Sequence, residues 1–131
     1  MTRWLVDGMN VIGSRPDGWW RNRRQAVVRM VDQLDAWASD VGEPVTVVFD
    51  GDRPAELGED ERTVEAAFAG RGRSADDEIT RRVEADRDPG SLLVVTSDSE
   101  LARRVEAHGA RVLGAGAFRH RVDTVTPTPG R

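Results

Sequence analysis

Aspartates at the ends of apolar segments are the residues of this chain best suited to chemistry. Asp7, Asp50 and Asp98 each follow a run of apolar residues. Aspartate is depleted in β-strands, and a buried carboxylate is costly unless it is paired or bound to a cation. Asp7 lies deepest in its apolar run, so it requires a partner such as a metal ion.

Six acidic or amide residues are candidates for one shared site. They are Asp7, Asn10, Asp50, Asp76, Asp77 and Asp98. Crowded carboxylates repel each other, and a divalent cation relieves that repulsion. Because the chain has no cysteine and only two histidines, an oxygen-only site for Mg²⁺ or Mn²⁺ is favoured over a zinc site. Such ions hold phosphate oxygens and activate water, which is the chemistry of a nuclease.

Alternating apolar and amphipathic segments must position these residues. Apolar segments predict strands at 3–9, 45–51, 63–70, 91–98 and 110–116. Helical spacing predicts helices at 22–40, within 70–86 after a glycine-rich loop, and at 99–109. This alternation is typical of a three-layer α/β fold, in which helices cover both faces of a mainly parallel sheet.

The edge of the sheet at the carboxyl ends of the strands is the expected place of the site. In parallel α/β folds, ligands bind there, near the point where the strand order reverses. The six candidates lie at or just after the end of the first, second or fourth strand, or at the start of the helix after the third. We therefore expect all six at one edge.

Capping and turn motifs give most of these carboxylates an ordinary structural interpretation as well. The Ser74-x-x-Asp77 motif resembles a capping box, and Ser97-x-x-Glu100 is a second one beside Asp98. The aspartate–glycine pair at 50–51 fits a plain turn. The aspartate at position 7 lacks such an interpretation, because no helix is predicted to start directly after it.

The composition excludes several classes of protein. All 19 basic residues are arginine, which excludes P-loop nucleotide binding and pyridoxal Schiff-base catalysis, since both need lysine. The lack of cysteine excludes disulfides and cysteine nucleophiles. The net charge of −4 means that RNA contact would depend on local arginine clusters or bound cations. No apolar stretch reaches the ~18 residues of a membrane span, and no signal peptide is evident, so we expect a cytoplasmic protein without membrane contact.

Four segments, in order, resemble the YacP-like NYN domain family of the PIN-like ribonuclease superfamily. They are "VDGMNVIG", "VVFDG", "SADDEI" and "VVTSDSEL". The resemblance implies a PIN-like sheet of five or six strands and metal-dependent endonucleolytic cleavage of RNA. It implies a ribosome association of the kind suggested for some relatives. It also implies an acidic catalytic centre of Asp7, Asp76, Asp77 and Asp98, with Asn10 orienting a ligand or water and Asp50 as a further metal ligand.

Arginines and tryptophans outside the acidic set are candidates for RNA contact. They are Arg15, Trp19, Arg21 and Arg23, with Trp20 and Arg24 among them, and Arg71 and Arg73 on the glycine-rich loop. Arginine with aromatic residues suits the backbone and bases of single-stranded RNA. Alternatively, the tryptophans pack onto the first helix or into a homodimer interface, and the loop arginines are solvated charges.

A catalytically inactive PIN-like module that binds RNA or a protein is the alternative function. A receiver-like signalling module is disfavoured because the chain has no lysine for the pocket. A haloacid-dehalogenase-type phosphatase is disfavoured because Met9 stands where a second aspartate is required. We expect one nuclease domain over residues 1–125 and a flexible tail over 126–131.

Overall fold

The computed structural model describes residues 1–125, which form five β-strands and five α-helices. The strands are β1 (Arg3–Asp7), β2 (Val45–Phe49), β3 (Glu65–Phe68), β4 (Leu92–Val95) and β5 (Arg111–Leu113). The helices are α1 (Gly8–Gly13), α2 (Arg23–Val41), α3 (Ala75–Ala85), α4 (Ser99–Ala107) and α5 (Ala115–Val125). The tail predicted at 126–131 lies outside the described residues.

The sheet has the strand order β3-β2-β1-β4-β5, and every neighbouring pair is parallel. This confirms the predicted α/β class, with five strands. The chain runs outward from β1 to β3 and then returns to the other side of β1 to begin β4. The strand order therefore reverses between β1 and β4, and a ligand site is expected beyond the carboxyl ends of these two strands.

Helices cover both faces of the sheet, as the continuous apolar strands predict. Trp4 and Val6 of β1 pack in a buried cluster with α1, α2 and α5. Leu5, between them, packs in a second cluster with α3 and α4. Since side chains two residues apart in a strand share a face, the next residue on the α3 and α4 side is Asp7.

The predicted strand over residues 3–9 was wrong at its end, because α1 begins directly after Asp7. The apolar residues Val11 and Ile12 are buried by a turn of helix rather than by an extended strand. Gly8 permits this turn, since a Cβ at this position would lie 2.4 Å from Cε1 of Phe49. A strand and a following helical turn therefore look alike in this apolar run.

Helix α5 was absent from the sequence prediction. Its buried residues Ala115, Phe118 and Val122 have helical spacing, but the charged residues between them weaken the pattern. The helix is tied to the residues after α1 by an ion pair between Arg15 Nη2 and Asp123 Oδ1, at 2.7 Å. No helix in residues 1–125 combines the length and the apolar composition needed to cross a membrane.

Candidate functional site

Three polar side chains occupy the carboxyl edge of the central strands. Each of β1, β2 and β4 packs an apolar side chain against α3 and α4, and a polar residue follows two positions later. The polar residues are Asp7, Asp50 and Thr96. Because this spacing keeps side chains on one face, the three extend toward the starts of α3 and α4. The acidic residues that accompany those helix starts are thereby brought to the same edge.

Asp7 is the centre of this edge and is only 4% exposed. Its Oδ2 accepts a hydrogen bond from Thr96 Oγ1 at 2.9 Å. Burial raises the pKa of Asp7 to about 6; the Thr96 hydrogen bond opposes this rise, and the charges of Asp76, Asp50 and Asp98 add to it. These four aspartates therefore share one electrostatic environment, and we refer to them as the carboxylate cluster.

The adjacent residues Asp76 and Asp77 have different surroundings. Burial and the charges of Asp98 and Asp50 raise the pKa of Asp76, and Arg104 opposes this rise. The side chain of Asp77 is 78% exposed, and its Oδ1 lies 3.4 Å from Nη2 of Arg104. The structure thus places Asp76 within the cluster and Asp77 in solvent beside it.

Two side chains cap the start of α3. Ser74 Oγ accepts a hydrogen bond from the backbone N–H of Asp77 at 3.3 Å, as the capping motif predicts. Asp50 Oδ1 accepts one from the N–H of Ala75 at 2.6 Å. Asp50 is therefore more than a turn residue, because it fixes the start of α3, and hence Asp76, to the carboxyl end of β2.

Asp98 itself caps α4, so the prediction of a cap at Ser97 was wrong. Asp98 Oδ1 accepts from the N–H groups of Glu100 and Leu101, at 2.9 and 3.2 Å. The hydroxyl of Ser97 instead accepts from the N–H of Ala115 at 2.9 Å, at the start of α5. A carboxylate is the stronger acceptor for helix N–H groups, and this cap leaves Oδ2 of Asp98 outside these two hydrogen bonds.

Asn10 holds the segment between β4 and α4. It lies in α1, and its Oδ1 accepts a hydrogen bond from the N–H of Ser97 at 2.8 Å. Asn10 therefore lies in a helix rather than in the strand before it, and its amide oxygen is already engaged in a hydrogen bond. The geometry gives Asn10 a positioning role beside Thr96 and Asp98, and a catalytic role stays a prediction.

Thr96 is the site residue that the sequence prediction missed. It is 2% exposed, and its hydroxyl donates to Asp7 and accepts from the N–H of Asp98, at 2.9 and 3.1 Å. It thus connects the two strands that flank the reversal of strand order. The available signal was alternation, since Thr96 continues the inward-facing row of β4 through Val94.

The sequence profile of the YacP-like NYN domain matches residues 4–128. The chain belongs to the YacP-like NYN domain family. Membership confirms the resemblance of the four segments and places the chain in the PIN-like nuclease superfamily, which is consistent with a ribonuclease.

Solved structures support this membership. The crystal structure of Rae1 (YacP) from Bacillus subtilis is similar to this YacP-like NYN domain at 26% identity and a TM-score of 0.80, over 95% of this chain and 75% of that one. A tryptophan-to-leucine mutant of Rae1 gives 26% identity and a TM-score of 0.78, over 95% of this chain and 77% of that one. A comparison with curated proteins gave no match.

The donor set of this YacP-like NYN domain fits a hard divalent cation. All four cluster members offer carboxylate oxygens, which suit Mg²⁺ and Mn²⁺, and burial with like charge opposes ionisation of Asp7. Among residues 1–125, however, no three histidine, aspartate or glutamate side chains are grouped closely enough to hold a metal ion. The carboxylate oxygens therefore suit Mg²⁺ or Mn²⁺ chemically, but among the described residues no three of them lie close enough together to coordinate the ion.

The tryptophan candidates of the YacP-like NYN domain separate into a packed and an exposed residue. Trp19 is half-buried and packs against the core beside α2. Trp20 is 61% exposed, and the guanidinium of Arg21 lies 5.9 Å from its ring centroid. The structure therefore gives Trp19 a packing role and makes Trp20 the aromatic side chain available to a partner.

The arginine candidates also differ in position. Arg15 is partly buried and forms an ion pair with Asp123, whereas Arg23 is exposed at the start of α2. Arg71 and Arg73 are exposed on a loop docked against Gly51, whose N–H donates to the carbonyl of Arg73 at 3.3 Å. That loop lies beside the cluster, because Gly51 directly follows Asp50.

Proposed function

We propose that this YacP-like NYN domain is a metal-dependent endoribonuclease that hydrolyses RNA phosphodiester bonds at the carboxylate cluster. The observation that carries the proposal is the position of Asp7. It is buried where the strand order reverses, and the negative charges of Asp50, Asp76 and Asp98 raise its pKa. Membership of a PIN-like nuclease family gives the chemical class, and this arrangement supports the location.

Asp7, Asp76 and Asp98 would hold Mg²⁺ or Mn²⁺, with Asp50 and Asp77 as outer ligands. When bound, such an ion activates water and stabilises the negative charge that develops on the phosphate. In the overall reaction water adds to phosphorus, the phosphorus–oxygen ester bond breaks, and the leaving oxygen takes a proton. Without cations, the cluster would repel the phosphate.

The protein's own contribution is to keep an ionised carboxylate in a buried position. Because the pKa of Asp7 is about 6, most of this group is ionised at neutral pH. The Thr96 hydroxyl stabilises that charge and fixes Oδ2. Asn10 fixes the backbone at Ser97, and Asp50 fixes the start of α3, so neighbouring acidic residues are held by separate elements.

Single-stranded RNA is the proposed substrate, because exposed arginines and Trp20 lie near α2 and offer cations and a stacking surface. Arg21, Arg23, Arg71 and Arg73 are the arginines of the predicted set that are exposed for this role. Ribosome association, a homodimer and a cytoplasmic location stay predictions.

Incubation of the purified chain with single-stranded RNA tests the proposal. RNA labelled at its 5′ end, and RNA labelled at its 3′ end, should each give labelled fragments of intermediate length with Mn²⁺ or Mg²⁺ and stay intact with EDTA. Fragments in EDTA would contradict the metal requirement. Binding without cleavage under every metal condition would instead support the inactive module.

A further inference from the structure

A groove of 460 Å³ lies beside the carboxylate cluster, and the function proposed above uses only Arg23 and Asp50 of its lining residues. It is lined by α2 and by residues that follow or end β2 and β3. Its charged members are Arg23, Arg24, Arg53, Asp50 and Asp52. Since Asp50 also belongs to the carboxylate cluster, the groove and the cluster share a wall. We refer to it as the arginine groove.

The arginines of this groove keep their charge available. Arg24 Nη1 lies 3.9 Å from Glu56 Oε1, and both side chains are exposed, which makes the pair weak. Arg53 donates from Nε and Nη2 to the neutral carbonyl of Gly58, at 3.2 and 2.7 Å. Within residues 1–125, Arg23 has no carboxylate within ion-pair distance.

Other arginines of the chain are neutralised at short range. Arg3 lies 2.8 Å from Asp86, and Arg62 lies 2.6 Å from Asp32. The groove is lined by three arginines and two aspartates, and Oδ1 of Asp50 is already engaged by the N–H of Ala75 at 2.6 Å. The charge of the arginine groove therefore favours an anion.

An aromatic ring adds an apolar contact to this charge. Phe68 stacks on Phe49 with ring centroids 5.3 Å apart, and the guanidinium of Arg53 lies 5.7 Å from the Phe68 centroid. Phe68 is half-buried and lines the groove. Guanidinium groups beside an aromatic surface suit a nucleotide, whose phosphate takes the charge while its sugar or base contacts the ring.

We propose that the arginine groove is a subsite for the RNA segment adjoining the cleaved phosphate. Arg23, Arg24 and Arg53 bind backbone phosphates, and Phe68 contacts the sugar or base. The assignment rests on the proposed function, since the subsite is defined relative to a phosphate cleaved at the cluster. It places the path of the substrate on the β2 side of Asp7.

Two arginine variants of the full chain test the subsite. Arg24→Gln and Arg53→Gln, alone and together, remove charge from the groove, and Arg87→Gln removes an exposed arginine near the opposite edge of the sheet as the control. Binding of a fluorescent single-stranded RNA is measured by anisotropy in EDTA over a range of salt. Cleavage by each variant is then measured with Mn²⁺. Among the described residues, Arg24 makes only the weak exposed ion pair with Glu56, so Arg24→Gln is expected to fold like the wild type.

The double variant should bind RNA about tenfold more weakly, since hydrogen bonds to charged groups are lost. Its salt slope should fall by about 1.4, at about 0.7 for each phosphate contact on a single strand. KM should rise while kcat stays near that of the wild type, and Arg87→Gln should match the wild type in all three measurements.

The outcomes separate the subsite from the proposed function. If the wild type cleaves RNA and the double variant matches Arg87→Gln, the subsite is overturned and the endoribonuclease stands. If the wild type binds RNA through these arginines and never cleaves it, the endoribonuclease is overturned and the groove is retained as an RNA-binding site. If the wild type does neither, both are overturned.

Discussion

The hydroxyl of Thr96 lies 2.9 Å from Oδ2 of Asp7 and donates a hydrogen bond to it. The hydroxyl oxygen of Thr96 also accepts a hydrogen bond from the N–H of Asp98 at 3.1 Å. A neutral side chain thus connects Asp7, the last residue of β1, with Asp98, which follows β4, on either side of the reversal in strand order. This contact both stabilises the ionised form of Asp7 and fixes the start of α4.

Replacing this hydroxyl should raise the pKa of Asp7 further. In Thr96→Val, the carboxylate loses a donor and the N–H of Asp98 loses an acceptor, so stability should fall by about 1–3 kcal/mol. If cleavage needs ionised Asp7, the acid limb of the pH–rate profile should move to higher pH. Thr80→Val is the matched control, because within residues 1–125 its buried hydroxyl donates only to the backbone carbonyl of Asp76. An acid limb that is unchanged in Thr96→Val would contradict the claim that Thr96 stabilises the ionised form of Asp7 during cleavage.

Neutralising Asp7 should stabilise the metal-free fold at neutral pH. Its pKa is raised from 3.8 in the unfolded chain to about 6 in the folded one. The folded state therefore binds more protons between these values, and the wild type loses stability as pH rises through this window. Asp7→Asn should lack that loss and be up to about 3 kcal/mol more stable above pH 6. Urea unfolding in EDTA at several pH values measures this, and a variant that is less stable at every pH would contradict it.

Mn²⁺ should stabilise the wild-type fold. Binding to the folded state alone contributes about 2.7 kcal/mol when the ion is at a hundredfold excess over Kd. The melting temperature should rise by several degrees with millimolar Mn²⁺, and Asp7→Asn should show a much smaller rise. A wild-type melting temperature that does not respond to Mn²⁺ or Mg²⁺ would mean that the cluster is not a metal site.

The two adjacent tryptophans should respond differently to truncation. Trp20→Ala should change stability by less than about 0.5 kcal/mol, because the side chain is largely exposed. It should weaken single-stranded RNA binding by about 1–3 kcal/mol, which is typical for the loss of one base-stacking contact. Trp19→Ala should destabilise the fold through lost core packing. Unchanged RNA binding by Trp20→Ala, together with an altered oligomeric state, would favour the homodimer interface instead.

The arrangement of the layers could be predicted because continuous apolar strands alternate with amphipathic helices. Helix α5 could not, since Phe118 and Val122 are separated by arginine and histidine, and the helix depends on packing beside α1 and α2. The end of β1 was also ambiguous, because one apolar run serves a strand and then a helical turn at Gly8.

The meeting of acidic residues at one edge follows from topology, and it could therefore be expected from the sequence. Their individual partners could not. Ser97 and Asp98 are both competent caps, and only the packed backbone decides between them. Thr96 was missed because a hydroxyl in an apolar strand carries no distinctive pattern until its neighbour Asp7 is placed beside it.

The cleavage rate of Asp7→Asn at saturating Mn²⁺ tests the central claim most directly. The amide keeps the shape of the side chain and its acceptor for Thr96 but removes the charge that would hold the ion. We predict a loss of cleavage rate of at least about 100-fold relative to the wild type. Mutation of residues that only support a metal ligand typically lowers activity by about 10–100-fold, and loss of the charged ligand itself should cost more. A folded Asp7→Asn protein that cleaves single-stranded RNA at a rate near that of the wild type would contradict the claim.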